Sequence, residues 1–151
     1  MFRNRLNEAL KVAMKAKDKR ATSTLRLILA ALKDRDIAAR GRGNSEGIGE
    51  DEILDLLQKM VRQGRESIEM YQKGGRQDLV EKELGEIKVI ERFLPKQLTE
   101  EETKAAVEEV IGELEASTIK DMGRVMGELK KRFPGRMDFG KASGLVKARL
   151  S

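Results

Sequence analysis

Apolar residues recur along this chain at helical spacing, and few segments alternate with the period of a strand. A first helix is predicted from Phe2 to Lys17, with Leu6, Leu10 and Ala13/Met14 marking its inner stripe. Asp18, Lys19 and Arg20 offer a break. A second helix follows over Ala21 to Arg40, where Leu25, Ile28, Leu29 and Leu32 recur at i, i+3, i+4 and i+7. Arg26, Lys33, Arg35 and Arg40 lie mostly away from that stripe. A third helix starts near Glu50 and carries Ile53, Leu57, Met60/Val61, Ile68 and Tyr71 inward; Gly74 and Gly75 end it. The fourth, Gln77 to Phe93, turns Val80, Leu84, Ile87 and Ile90 inward, and Leu94-Pro95 stops it. Thr99 and Glu102 have capping-box spacing and open a fifth helix with Val107, Val110, Ile111 and Leu114 on one side. A polar joint at Ala116 to Thr118 leads to a sixth, where Thr118 and Asp121 are a second cap and Met122, Val125, Met126 and Leu129 form the stripe. After Pro134-Gly135, Asp138 can cap a seventh helix bearing Phe139, Ala142, Leu145, Val146 and Leu150.

The fold class expected is therefore all-α, in two helical subdomains. Four helices form an N-terminal domain over residues 1–95, and three form a C-terminal bundle over residues 96–151. A three-helix unit of this size is marginal alone, because it buries only about 60% of its unfolded surface. Gly41 to Gly49 (GRGNSEGIG) reads as a mobile loop. It is no phosphate-cradling loop, since neither a Lys-Ser/Thr ending nor a preceding strand is present. Glu50, Asp51 and Glu52 stand in a first helical turn, where the helix dipole favours anions, and that suffices to explain them without a metal.

Composition narrows the chemistry. The chain contains neither cysteine nor histidine. No thiol nucleophile, thiolate metal site, imidazole base or Ser-His triad is available. No catalytic set, metal set or reason for a cofactor is visible. No apolar run approaches 18 residues, and no apolar leader precedes a cleavage site. These features predict a soluble cytoplasmic protein with no membrane partner. The net charge of +5 hides segregation: residues 1–42 hold 12 Lys and Arg against 4 Asp and Glu, residues 43–118 hold 10 against 19, and residues 119–151 hold 9 against 3. Basic ends around an acidic middle suit either helix-to-helix pairing or cationic surfaces for a polyanion. Pairing alone is a weak motive, because exposed ion pairs contribute only about 0–1 kcal/mol each.

The segment Ile119 to Arg136 (IKDMGRVMGELKKRFPGR) carries the most specific signal. Gly123 and Gly127 lie four apart inside a helix, where each glycine costs roughly 1 kcal/mol against alanine. Such a pair suits a close approach of backbone to something. The partner is an RNA backbone outside, the seventh helix inside, or both. Cations surround the pair, opposed only by Asp121 and Glu128. The candidate nucleic-acid-binding set is Lys120, Gly123, Arg124, Gly127, Lys130, Lys131, Arg132, Arg136 and Lys141.

Three stretches together resemble the GatB/YqeY family, specifically its free-standing YqeY-like branch, over nearly the full length. They are LRLILAALKDRDIA (Leu25 to Ala38), GRESIEMYQKGGRQDLVEKELGEIKVIERFLPKQLTEEE (Gly64 to Glu102) and DMGRVMGELKKRFPGR (Asp121 to Arg136). The resemblance implies a two-part helical architecture and kinship with the C-terminal tail of the B subunit of the tRNA-dependent amidotransferase. That carbon–nitrogen ligase converts Glu-tRNA(Gln) or Asp-tRNA(Asn) to the amide form with glutamine as donor. Its tail helps recognise the outer corner of the tRNA, while the chemistry occurs elsewhere. Asp121, Met122, Gly123, Val125, Met126 and Gly127 match the family's small-residue motif, and Phe139 to Gly144 (FGKASG) is a variant of its Asp-Gly-Lys helix start.

The expected function is that of a tRNA-binding, amidotransferase-related accessory protein without an active site of its own. Folded RNA is read by shape and by sugar and phosphate contacts, so scarce aromatics are no obstacle. They do argue against an unwound-strand binder, which needs stacking platforms. A component of a glutamine-using carbon–nitrogen ligase is the alternative, and the residues support it less: Cys is absent, a Gly/Ser-rich amidase core is absent, and no nucleotide site is visible. A third reading is a protein-interaction module, in which the acidic middle docks a basic partner or the three-helix unit docks an amidotransferase or an aminoacyl-tRNA synthetase.

Overall fold

The computed structural model describes residues 1–151 and is all-α. Seven helices follow in order: α1 (Phe2–Lys15), α2 (Lys19–Gly41), α3 (Glu50–Lys73), α4 (Gln77–Glu91), α5 (Glu100–Glu113), α6 (Met122–Arg132) and α7 (Phe139–Leu150). A single 3-10 turn, Ile119–Asp121, leads into α6. The chain divides into two compact units, Met1–Leu94 and Pro95–Ser151. The first holds α1 to α4 and the second α5 to α7.

In the first unit, Leu6, Leu25, Ile28, Leu32, Ile53, Leu57, Ile90 and Phe93 form one continuous core. Asp18 starts α2 by accepting a hydrogen bond from the Ala21 amide at 3.1 Å. Gly75, at φ 69°, turns the chain between α3 and α4 in the left-handed region open to glycine. Gly64 of α3 is buried against α4; a Cβ there would meet Ile87 Cγ1 at 3.1 Å.

Three local expectations change. Leu84 is exposed rather than inward. The half-buried Glu83 occupies the inner side of α4 instead, fronting Gly64. Burial pushes its carboxyl upward from the usual range, with the charge of Glu86 adding to the shift. Met14 is likewise exposed, and Ala13 takes the inward place on α1. The glycine-rich loop is tethered. Arg3 grips Asp36 through two nitrogens at 2.6 and 2.8 Å and donates to the Ile48 carbonyl at 2.8 Å. Asp36 also accepts from the Ile48 amide at 2.9 Å, and Ile48 is buried. The Asp36 carboxyl falls to about 2, first because Arg3 hydrogen-bonds to its charged form.

The second unit packs Val107, Val110 and Ile111 of α5 against Val125 and Leu129 of α6 and Ala142, Val146 and Leu150 of α7, with Met137 buried between the last two helices. Thr99 and Glu102 form the expected capping box at 3.0 and 3.1 Å. Asp138 caps α7, accepting from Gly140 and Lys141 amides.

Candidate nucleic-acid interface

The buried stripe of α6 is narrow. Val125 and Leu129 are fully enclosed, and Met122 and Met126 are half-buried beside them. Helical spacing puts Gly127 and Lys131 opposite that stripe and Gly123 and Lys130 on its flank, with Lys120 one turn earlier. All five are exposed. A Cβ built on Gly123 or on Gly127 meets nothing within 4 Å. The glycines therefore do not seat against α7, and the internal-packing reading of this pair fails. What they leave is a bare strip of helix backbone facing outward, with lysines at both ends.

The predicted cations divide into two groups. Arg124 bonds Asp121 at 3.0 Å and the Leu114 carbonyl at 3.3 Å. Asp121 also accepts from the Ser117 and Thr118 amides, and those bonds, ahead of Arg124, hold its carboxyl below the usual range. Arg132 is clamped between Glu113 of α5 and Glu128 of α6. That double hydrogen bonding holds the Glu113 carboxyl down and the guanidinium up. Arg136 is half-buried and donates to the Lys96 carbonyl at 3.0 Å. Lys141 stands 3.7 Å from Glu100, with both side chains open to water. Lys120, Lys130 and Lys131 take part in no ion pair. Lys130 lies over the Phe139 ring at 6.0 Å, at the outer limit of a cation–π contact. Arg124, Arg132 and Arg136 are thus engaged within the unit, whereas Lys120, Lys130 and Lys131 make no ion pair.

The structure also exposes a pattern that the reading of α6 alone misses. The run from Asp121 to Phe133 (DMGRVMGELKKRF) recurs from Asp138 to Leu150 (DFGKASGLVKARL). Asp121, Gly123, Gly127, Lys130 and Arg132 correspond to Asp138, Gly140, Gly144, Lys147 and Arg149. One pair of counterparts is placed alike, while Asp121 holds the chain before its helix and Asp138 caps the helix after it. Arg149, like Arg132, pairs with a carboxylate of α5, here Glu108 at 3.1 Å. Gly144 has nothing within 4 Å of a built Cβ, and Gly140, Gly144 and Lys147 are all exposed. α7 thus presents a second glycine strip with its own unpaired lysine.

A two-unit helical protein with lysine-flanked bare backbone on its last two helices is the class this defines. The family described as Yqey-like protein matches residues 3–150, and the chain belongs to that family. Among curated proteins it is similar to altered inheritance of mitochondria protein 41, mitochondrial, of Kluyveromyces lactis, at 32% identity over 91% of this chain and 75% of the relative. The namesakes from Lachancea thermotolerans and Eremothecium gossypii are 36% and 37% identical over 74% and 59% of this chain. Those alignments span 59% and 46% of the two relatives. These names correct one expectation. The relatives are mitochondrial proteins, so the cytoplasmic placement read from the sequence does not stand. A missing apolar leader is weak ground for a compartment, because transit peptides are amphipathic rather than apolar. No helix is long and apolar enough to cross a membrane.

Proposed function

We propose that this protein is a tRNA-binding accessory factor, related to the tail of the tRNA amidotransferase B subunit, and that its C-terminal unit makes the contact without chemistry of its own. The observation that carries the reading is the open strip at Gly123 and Gly127 between unpaired Lys120, Lys130 and Lys131. Exposed glycine in a helix lowers stability with no compensation inside the unit. It brings an external sugar–phosphate backbone within reach of the helix surface, where the ammonium groups neutralise phosphates. Gly144 and Lys147 on α7 extend the same chemistry. An amidotransferase or an aminoacyl-tRNA synthetase would then meet this factor on the RNA.

Titration of labelled tRNA across a salt series tests the proposal. Each neutralised phosphate contributes about 0.7–0.9 to the slope of log affinity against log salt. The triple variant K120Q/K130Q/K131Q is expected to flatten that slope by about 2. Salt-independent binding, or an unchanged slope in the variant, overturns it.

A further inference from the structure

The strongly basic start of the chain lies in the first unit and supplies none of the residues named in the C-terminal interface. On α2, Lys19, Arg26, Lys33 and Arg40 recur at seven-residue intervals. All four are exposed. The helix's ion-paired residue is Asp36, which Arg3 grips and whose charge Arg40 also favours, and none of the four cations makes a salt bridge. At 1.5 Å rise per residue the row places a positive charge about every 10 Å over roughly 31 Å. It drifts about 20° per interval, so it winds gently round the helix. Around its first interval lies a shallow depression of about 450 Å³ lined by Lys19, Thr22, Ser23, Arg26 and Leu27, which sets two hydroxyl donors among two cations.

The rest of that outer face decides between partners. Between the cations stand Ser23, Ala30 and Ile37, also at seven-residue spacing. A partner helix in a coiled coil needs an apolar seam at both alternating positions, and here one of the two is cationic throughout. A lipid surface needs a continuous apolar face with aromatic anchors. α2 exposes only Leu27 and Ile37 as large apolar groups, with Asp34 between them in sequence, and the chain has no tryptophan. A regular polyanion fits better: evenly repeated cations over roughly 31 Å can follow the sugar–phosphate backbone of a duplex, which double-stranded RNA offers as its main point of recognition.

We propose that the outer edge of α2 is a second phosphate-contacting surface, which takes the backbone of a double-helical arm of RNA through Lys19, Arg26, Lys33 and Arg40, with Ser23 and Thr22 as hydroxyl donors. This rests on the reading that the protein binds folded RNA. It adds a surface in the N-terminal unit to the one already described.

The test uses the full chain with tRNA and with a plain RNA duplex, comparing wild type, the α2 variant K19Q/R26Q/K33Q/R40Q and the α6 variant K120Q/K130Q/K131Q. The α2 variant is expected to flatten the salt slope by about 3 on both RNAs, at four phosphates each contributing roughly 0.7–0.9. The milder R26Q/K33Q pair, expected to flatten it by about half as much, serves if the fourfold variant loses its circular dichroism. An α6 effect without an α2 effect sinks this inference and leaves the proposed function standing. An α2 effect without an α6 effect supports the inference and removes the C-terminal face. No binding by wild type removes both. Vesicles containing an anionic lipid are the control: wild-type capture that depends on these four residues, with unchanged RNA affinity, overturns the assignment to RNA.

Discussion

Replacing Gly123 and Gly127 with alanine is expected to make the protein more stable and worse at binding RNA. Gly127 sits mid-helix in α6, where alanine is better by about 1 kcal/mol. Gly123 is the second residue of that helix, so its gain is smaller, about 0.5 kcal/mol. Neither methyl meets a heavy atom within 4 Å, so no steric penalty offsets the gain. Together they give about 1.5 kcal/mol, and a domain of 60–100 residues shifts its midpoint roughly 4–8 °C per kcal/mol. Thermal unfolding followed by circular dichroism should rise by about 6–12 °C for the transition that includes α6. On the same protein, tRNA affinity should fall roughly tenfold, equivalent to about 1.4 kcal/mol, because two methyl groups now stand where the backbone approached. Gly64 provides the contrast. Its built Cβ lies 3.1 Å from Ile87 Cγ1, and Gly64→Val should destabilise by about 1–3 kcal/mol, as overpacking does. A destabilised alanine pair would mean that α6 packs against something on this face. A stabilised pair with unchanged affinity would mean that RNA does not touch it.

The Arg3–Asp36 tether gives a pH signature. Asp36 has a folded value of about 2 against an ordinary 3.8, so its contribution is fully present above about pH 5 and disappears as pH falls through 4 toward 2. Allowing for the half-open Arg3, the contribution is about 1–2 kcal/mol; the urea midpoint of D36N should lie below wild type at pH 7 and converge with it near pH 2. Thr24 is buried with its hydroxyl unpartnered, so Thr24→Val should stabilise by about 1 kcal/mol in the same urea assay. Arg132→Gln, which breaks the clamp to Glu113 and Glu128, should lower the unfolding midpoint, whereas Lys131→Gln should leave it in place and weaken RNA binding. Two separable unfolding transitions are expected if residues 1–95 and 96–151 are independent domains, and a single merged one opposes that division.

The helices were legible because each carries its own stripe, and their ends because Asp18, Thr99, Asp138 and Gly75 are local signals read over a few residues. Leu84 was not, since its periodicity matches that of Val80 and Ile87, and only the contact with Gly64 shows that Glu83 takes the inner side. The loop's tether was hidden for the same reason: Arg3, Asp36 and Ile48 are far apart in sequence and meet only in the fold. At the candidate site, residue type found the cations without sorting them. Arg132 and Glu113 are separated by a helix and a turn, so the clamp that engages Arg132 within the unit needs coordinates. The recurrence of Asp121–Phe133 in Asp138–Leu150 was readable from letters alone, and the unequal fillers between its glycines obscured it.

Amide NMR of the 151-residue chain during addition of tRNA tests the central claim most directly. The amide signals of Gly123 and Gly127 are well suited as reporters, because both glycines are exposed and a Cβ built on either meets nothing within 4 Å. The account predicts that these two, with Lys130 and Lys131, shift or broaden first and that added salt reverses the change. Unmoved glycine signals at tRNA concentrations that perturb other residues would contradict it.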